Sequence, residues 1–131
     1  MSSPLILPMA AHVALAALLY VWLTVARAPA VWGLGRNADG SNPFARIEPR
    51  ISANLSNQFE WPLLFYVVCL LLMPAVGPLV LVLAWVFVGG RVLHSVVQIL
   101  TGSVRLRGLV FTINFLAVLG MWVVVVVQAL G

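Results

Sequence analysis

An all-α integral membrane protein, a single four-transmembrane-helix bundle, is the fold class this sequence predicts, and three observations predict it. Mean hydropathy is +1.13, and only 8% of residues are charged while 63% are hydrophobic, against roughly 25% charged in soluble domains. The apolar residues gather into four runs, each long enough to cross a bilayer core as a helix of about 20 residues. The 131 residues are taken up by these spans and their short connections, so residues 1–131 are read as one membrane domain with no separate soluble part.

The first span covers about residues 5–26, with Tyr20 and Trp22 near one interface and Arg27-Ala-Pro29 expected to close it. It lacks a basic region ahead of its apolar stretch, so it is read as a retained span and not a secretory signal. His12 lies near its middle, where an interhelical hydrogen bond is the expected use. Residues 31–46 are rich in Gly, Asn, Asp and Ser, the composition of a turn-laden loop, in which Arg36 and Asp39 are expected to pair.

The second span, about residues 49–73, starts at Glu48-Pro49, since an acid suits a helix N-terminus and proline is tolerated in a first turn. On one continuous helix Arg50, Asn54, Asn57 and Trp61 share a face, Glu60 lies one turn above Asn57, and Pro62 kinks the helix just beyond. Pro74 to Pro78 forms an uncharged turn. The third span, about residues 79–100, carries Arg91, His94, Ser95 and Gln98 at helical spacing, and the fourth, about residues 107–129, carries Arg107, Phe111 and Asn114.

All seven basic residues are arginine. Arg27, Arg36, Arg46 and Arg50 lie in the first-to-second connection and Arg105 and Arg107 in the third-to-fourth, while the other two exposed regions carry no charged side chain. The positive-inside rule places both charged loops in the cytoplasm. The same clustering at span ends argues for topology and against nucleic-acid binding as the meaning of the +4 net charge. Cys69, the single cysteine, lies in an apolar run and reads as a small hydrophobe.

Arg91 and Glu60 each lie about ten residues from the charged-loop end of their spans, hence roughly 15 Å deep on straight helices. A charge alone at that depth is costly, so the two are expected to pair inside the bundle or at a subunit interface. The remaining polar side chains converge on the same zone. They either line a cleft for an anionic or zwitterionic ligand beside a lipophilic one, or serve to hold the helices together.

Asn57-x-x-Glu60 in the second span, Gly90-Arg91-Val-Leu-His94 in the third and Arg107 opening the fourth together resemble the MAPEG family, the membrane-associated proteins in eicosanoid and glutathione metabolism. The resemblance covers about residues 10–128. It implies a homotrimer that binds glutathione as cosubstrate between subunits near the cytoplasmic face, with membrane lipids around it and a lipophilic small molecule as the other substrate. For a bacterial-type member the membrane is the inner one. The implied activity is a glutathione- or thiol-dependent transferase or peroxidase, in which Arg107 is the catalytic candidate that stabilises the thiolate. Asn57 and Glu60 bind the cosubstrate's polar groups, with Arg91 and His94 in support. Arg50, Asn54 and Gln98 complete the candidate binding set, and no metal is expected. The family pattern Arg-x-x-x-Asn-x-x-Glu meets Ala53 at its arginine, although Arg50 precedes Asn54 at the same spacing. Gln98 and Phe111 stand where members often carry tyrosines. These departures motivate a competing expectation, a non-catalytic protein of the same fold that holds lipid or a membrane partner in a degenerate glutathione site.

Overall fold

The computed structural model describes residues 2–131 and contains five helices: α1 (Ile6–Trp32), α2 (Glu48–Asn57), α3 (Trp61–Leu72), α4 (Pro78–Leu100) and α5 (Val104–Leu130). Taken as one span broken in the middle, α2 and α3 give Glu48–Leu72, so four segments are long and apolar enough to cross a membrane. The all-helical four-span fold expected from composition is therefore the fold observed.

α1 runs further than expected. Arg27-Ala-Pro29 does not close it; Pro29 lies inside the helix, which continues to Trp32 and ends where Gly33 takes a left-handed φ of 71°. An interior proline forfeits a backbone hydrogen bond, and α1 accommodates that loss near its end, stopping only where glycine adopts αL without steric cost. The loop then folds back on this end. Arg36 Nε donates to Pro29 O at 2.9 Å and Asn42 Nδ2 to Ala26 O at 3.0 Å. The expected Arg36–Asp39 pair is absent, because Asp39 is already engaged locally: its Oδ1 accepts from the Ser41 hydroxyl at 2.6 Å and the Ser41 amide at 3.0 Å. Those two hydrogen bonds, the hydroxyl's foremost, hold the Asp39 carboxyl below the usual carboxylate range.

The second span is broken, not merely kinked. Pro62 has no N–H and its ring clashes with the carbonyl four residues back, so helical bonding cannot pass through Gln58. The Gln58 and Phe59 amides make tighter i→i−3 bonds to Leu55 and Ser56 at 3.1 Å, Glu60 leaves the helical region (φ −92°, ψ −100°), and α3 restarts with Pro62 in its first turn. α5 begins at Val104, ahead of the expected Arg107, because the Ser103 hydroxyl accepts from Leu106 N at 3.2 Å and caps the helix N-terminus.

α4 is central, packing against α1, α2 and α5, while α5 also packs on α3. The buried apolar side chains form two cores. One gathers Phe65, Val68, Cys69 and Leu72 of α3 with Val80, Ala84 and Phe87 of α4 and Ala117, Val118 and Met121 of α5. The other gathers Leu19, Leu23 and Ala26 of α1, Ile51 and Leu55 of α2 and Ile99 of α4. Between them along the helices lie buried polar residues, including His12, Asn54, Gln58, Arg91 and Asn114. Packing densities like those of organic crystals make this layer intolerant of added volume. At Gly90, where α4 meets α5, a Cβ would sit 2.5 Å from Asn114 Oδ1.

Gly90→Ala is therefore expected to destabilise the protein by about 1–3 kcal/mol through overpacking. A denaturation series in detergent measures this, and Asn114→Ala in the same chain should recover part of the loss. Equal stability of Gly90→Ala and the parent chain would show that α5 yields freely at this contact.

Candidate functional site

Helical spacing on α4 sends Arg91, His94, Ser95 and Gln98 inward, and all four are buried. Arg91 is 1% exposed. Its Nε donates to Gln58 Oε1 at 3.1 Å, whereas Nη2 is buried without a partner. The expected Arg91–Glu60 ion pair does not form within the chain. Among the described residues the one salt bridge joins Arg27 Nε to Glu48 Oε1 at 2.7 Å, at the exposed meeting of α1 with α2. The expectation assumed a continuous second helix; the break turns Glu60 out to an exposed position and hands the inward position to Gln58.

Gln58 is the hub that the sequence reading missed. Its Oε1 also meets His12 Nε2 at 2.9 Å, and its Nε2 donates to Asn54 Oδ1 at 3.1 Å and to Ser95 Oγ at 3.3 Å. His12 is thus the interhelical hydrogen-bonding residue expected of it, and its Nδ1 lies 2.6 Å from the Tyr66 hydroxyl. A signal was available in the sequence: Arg50, Asn54 and Gln58 recur at steps of four, a helical face in its own right. It was masked by extending the Asn57–Trp61 face through Pro62.

At the charged-loop end of the bundle two recesses adjoin. One of about 300 Å³ is lined by Pro49, Arg50, Ala53, Gln98 and the α4–α5 turn. The other, of about 440 Å³, is lined by Asn57, His94, Gln98, Arg107 and Phe111. Ala53, Gln98, Val104 and Arg107 line both, so the two form one cleft. No acidic side chain lines either recess. Of the candidate site residues, the cleft brings together Asn57, His94, Gln98 and Arg107, with Arg50 at its rim. Arg50 is not free there, because its Nη1 lies 3.4 Å from the Ile99 and Thr101 carbonyls and covers the C-terminal end of α4. Asn54 and Arg91 lie behind the wall in the buried network, and Glu60 is not on the wall. His94 adds a buried Nδ1 without a partner, its ring 6.2 Å from that of Phe111 between centroids. Chemically the cleft offers guanidinium and amide donors to a ligand carrying negative charge. Among the described residues no group of three or more His, Cys, Asp or Glu side chains comes together to hold a metal.

A second cavity opens on the flank between α1 and α3, about 400 Å³ in volume and lined by residues including His12, Ala16, Ala17, Phe59, Leu63 and Tyr66. Its wall is apolar apart from the rims of His12, Gln58 and the two tyrosines. It lies across α2 from the polar cleft.

Fold and site together define a four-span helical membrane protein that places a cationic cleft at one end of the bundle and an apolar recess on its flank. The chain belongs to the MAPEG family, whose sequence model matches residues 5–127, a family associated in general with glutathione-dependent transferase and peroxidase chemistry. No curated protein and no solved structure matches the chain.

Gln58→Leu is expected to cost about 3–5 kcal/mol, the scale for stripping a buried charge of its partner, because Arg91 and His12 lose their shared acceptor together. Thermal and denaturant unfolding measures this. Arg91→Met in the Gln58→Leu background should restore part of the stability by removing the stranded charge, and no recovery would place the cost elsewhere.

Proposed function

We propose that the protein is a membrane-bound thiol-dependent transferase or peroxidase that presents glutathione, or another small anionic thiol, to a lipophilic electrophile. The observation that carries this reading is the cleft itself, where Arg107 faces Asn57, His94 and Gln98 with no acidic side chain on the wall. A guanidinium near sulfur favours the thiolate over the thiol, and the thiolate is the nucleophile. The protein supplies no covalent nucleophile. The cosubstrate loses its thiol proton to solvent, its sulfur forms a bond to an electrophilic carbon, and the leaving group departs with the bonding pair. The donor set fits an anionic ligand in charge, Arg107 on the shared wall and Arg50, which also covers the end of α4 through Nη1, at the rim. The reading extends to a homotrimer in a bacterial inner membrane, with charged loops and cleft mouth in the cytoplasm and lipid bearing the second substrate.

Arg107→Ala is expected to lower kcat/KM by roughly 100-fold or more, the scale for losing a preorganised group at a developing anion. Removing the cation raises the pKa of the bound thiol, so the remaining activity should rise only at higher pH than in the parent protein. Calorimetric titration with glutathione and a pH-rate profile with a general aromatic electrophile measure both effects. No heat of binding, with turnover no greater than that of Arg107→Ala, overturns the enzymatic reading.

The flank recess favours a second reading, a lipid-binding or scaffold protein of the same fold, because about 400 Å³ of almost wholly apolar wall suits an acyl chain. A lipid that co-purifies and is lost on Ala17→Trp, in a protein that never binds thiol, would select this reading over the first.

A further inference from the structure

The polarity of every amide behind the cleft can be read from one end of the buried network. Arg91 carries N–H donors only and accepts nothing. Its Nε, 3.1 Å from Gln58, fixes the Gln58 oxygen as the facing atom. The Gln58 amide nitrogen is thereby directed onto Asn54 Oδ1 at 3.1 Å. With its oxygen so engaged, Asn54 presents Nδ2 to Gln98 Oε1 at 2.9 Å, and Asn57 Nδ2 reaches the same oxygen at 3.2 Å. Gln98 thus has its oxygen committed to two donors. Its Nε2 makes no hydrogen bond among the described residues, and Gln98 is shared by both recesses of the cleft. The other arm of the network agrees. Gln58 Oε1 also accepts from His12 Nε2 at 2.9 Å, which makes His12 Nδ1 the acceptor of the Tyr66 hydroxyl at 2.6 Å. No amide along the chain can be inverted alone without setting donor against donor.

We infer that Gln98 is a specificity-determining donor of the cleft, its Nε2 binding an anionic acceptor on the thiol cosubstrate, and that Arg91, Gln58 and Asn54 are positioning residues that hold this donor toward the ligand. The ligand assignment rests on the reading of the cleft as a thiol site. The relay stands on hydrogen-bond geometry alone. Selectivity follows from it: a cleft that shows a fixed donor pair beside Arg107 discriminates against any thiol whose facing group is itself a donor, such as an ammonium, because two donors would then meet unpaired.

Gln58→Glu is the decisive variant. A carboxylate accepts from Arg91 and His12 as the amide oxygen does, but it has no donor for Asn54. Asn54 then turns Nδ2 toward the carboxylate and its oxygen toward Gln98, Asn57 at the rim turns its own oxygen the same way, and the Gln98 amide inverts and shows the cleft an acceptor. Gln98→Met removes the donor directly and serves where Gln58→Glu fails to fold. Glutathione titrated calorimetrically into the full-length protein in detergent should bind roughly 10- to 100-fold more weakly to either variant than to the parent, the scale of a hydrogen bond to a charged group. In ligand-free protein labelled with nitrogen-15 at glutamine, the Gln98 Nε2 protons should exchange with water in the parent chain and be protected in Gln58→Glu. Protection of these protons in the parent overturns the relay whatever the protein binds. Water-exposed protons with glutathione affinity unchanged in both variants overturn the donor role and leave the thiol reading standing. A parent protein that takes up no glutathione overturns the ligand assignment together with that reading, while the exchange pattern still decides the relay.

Discussion

A guanidinium buried among membrane-spanning helices must find acceptors from within the protein, because lipid offers none. Arg91 meets that constraint with a single side-chain oxygen, that of Gln58, and leaves Nη2 without a partner. The polar layer follows from this economy. Since one oxygen serves both Arg91 and His12, the Gln58 nitrogen must satisfy itself on Asn54 and Ser95; the Ser95 bond ties the end of α2 to α4, while His12 ties α1 to Gln58 and to Tyr66 of α3. The two apolar cores pack on either side and supply the burial. The polar layer supplies register, because a slide of α4 by one residue would separate Arg91 from Gln58 and leave several groups unsatisfied together.

Pro62 makes the layer possible. A continuous helix through residues 57–61 would have kept Glu60 near the face of Asn57 and brought an acid toward Arg91. By denying Gln58 helical bonding, the proline ends α2 one residue before the hub and lets α3 restart in a new phase. An ion pair at the bundle centre is thereby replaced by a neutral amide acceptor. Buried ion pairs recover their desolvation cost only with near-ideal geometry. An amide that accepts twice and donates as well satisfies more neighbours at the same site, while the carboxylate of Glu60 is turned to the outer face of the bundle.

The fold was legible because it rests on amounts: four apolar runs of spanning length, arginines confined to two connections, and too few residues for anything else. The polar residues of α4 were legible for a related reason, since nothing interrupts that helix and 3.6-residue periodicity carries Arg91, His94, Ser95 and Gln98 to one side. What was not legible depended on breaks and on local competition. Glu60 and Gln58 exchanged roles because the phase of a helix cannot be carried across a proline. Arg36 and Asp39 are close in sequence and opposite in charge, yet each had a nearer partner in the Pro29 carbonyl and in Ser41. Pro29 read as a terminator because the sequence does not show that α1 reaches its αL glycine only at Gly33. In the cleft, His94, Gln98, Asn57 and Arg107 were anticipated, whereas Asn54 and Arg91 were placed on a wall behind which they stand.

The three positions where the chain departs from the family pattern all concern hydrogen-bond donors at the cleft. Ala53 lines both recesses without a polar atom, and Arg50, one turn away, cannot take up the missing guanidinium's place without releasing the carbonyls at the end of α4. Phe111 has no hydroxyl and lies against His94. At the third position the donor is not lost but changed in kind. A tyrosine hydroxyl rotates and accepts as readily as it donates, whereas the Gln98 amide has its oxygen held by Asn54 and Asn57 and can only donate outward. A cleft with fewer donors and one of fixed polarity demands more of its ligand's orientation than a cleft of freely rotating hydroxyls. The orientation of that donor is accordingly set three residues behind the wall, where Arg91 accepts nothing.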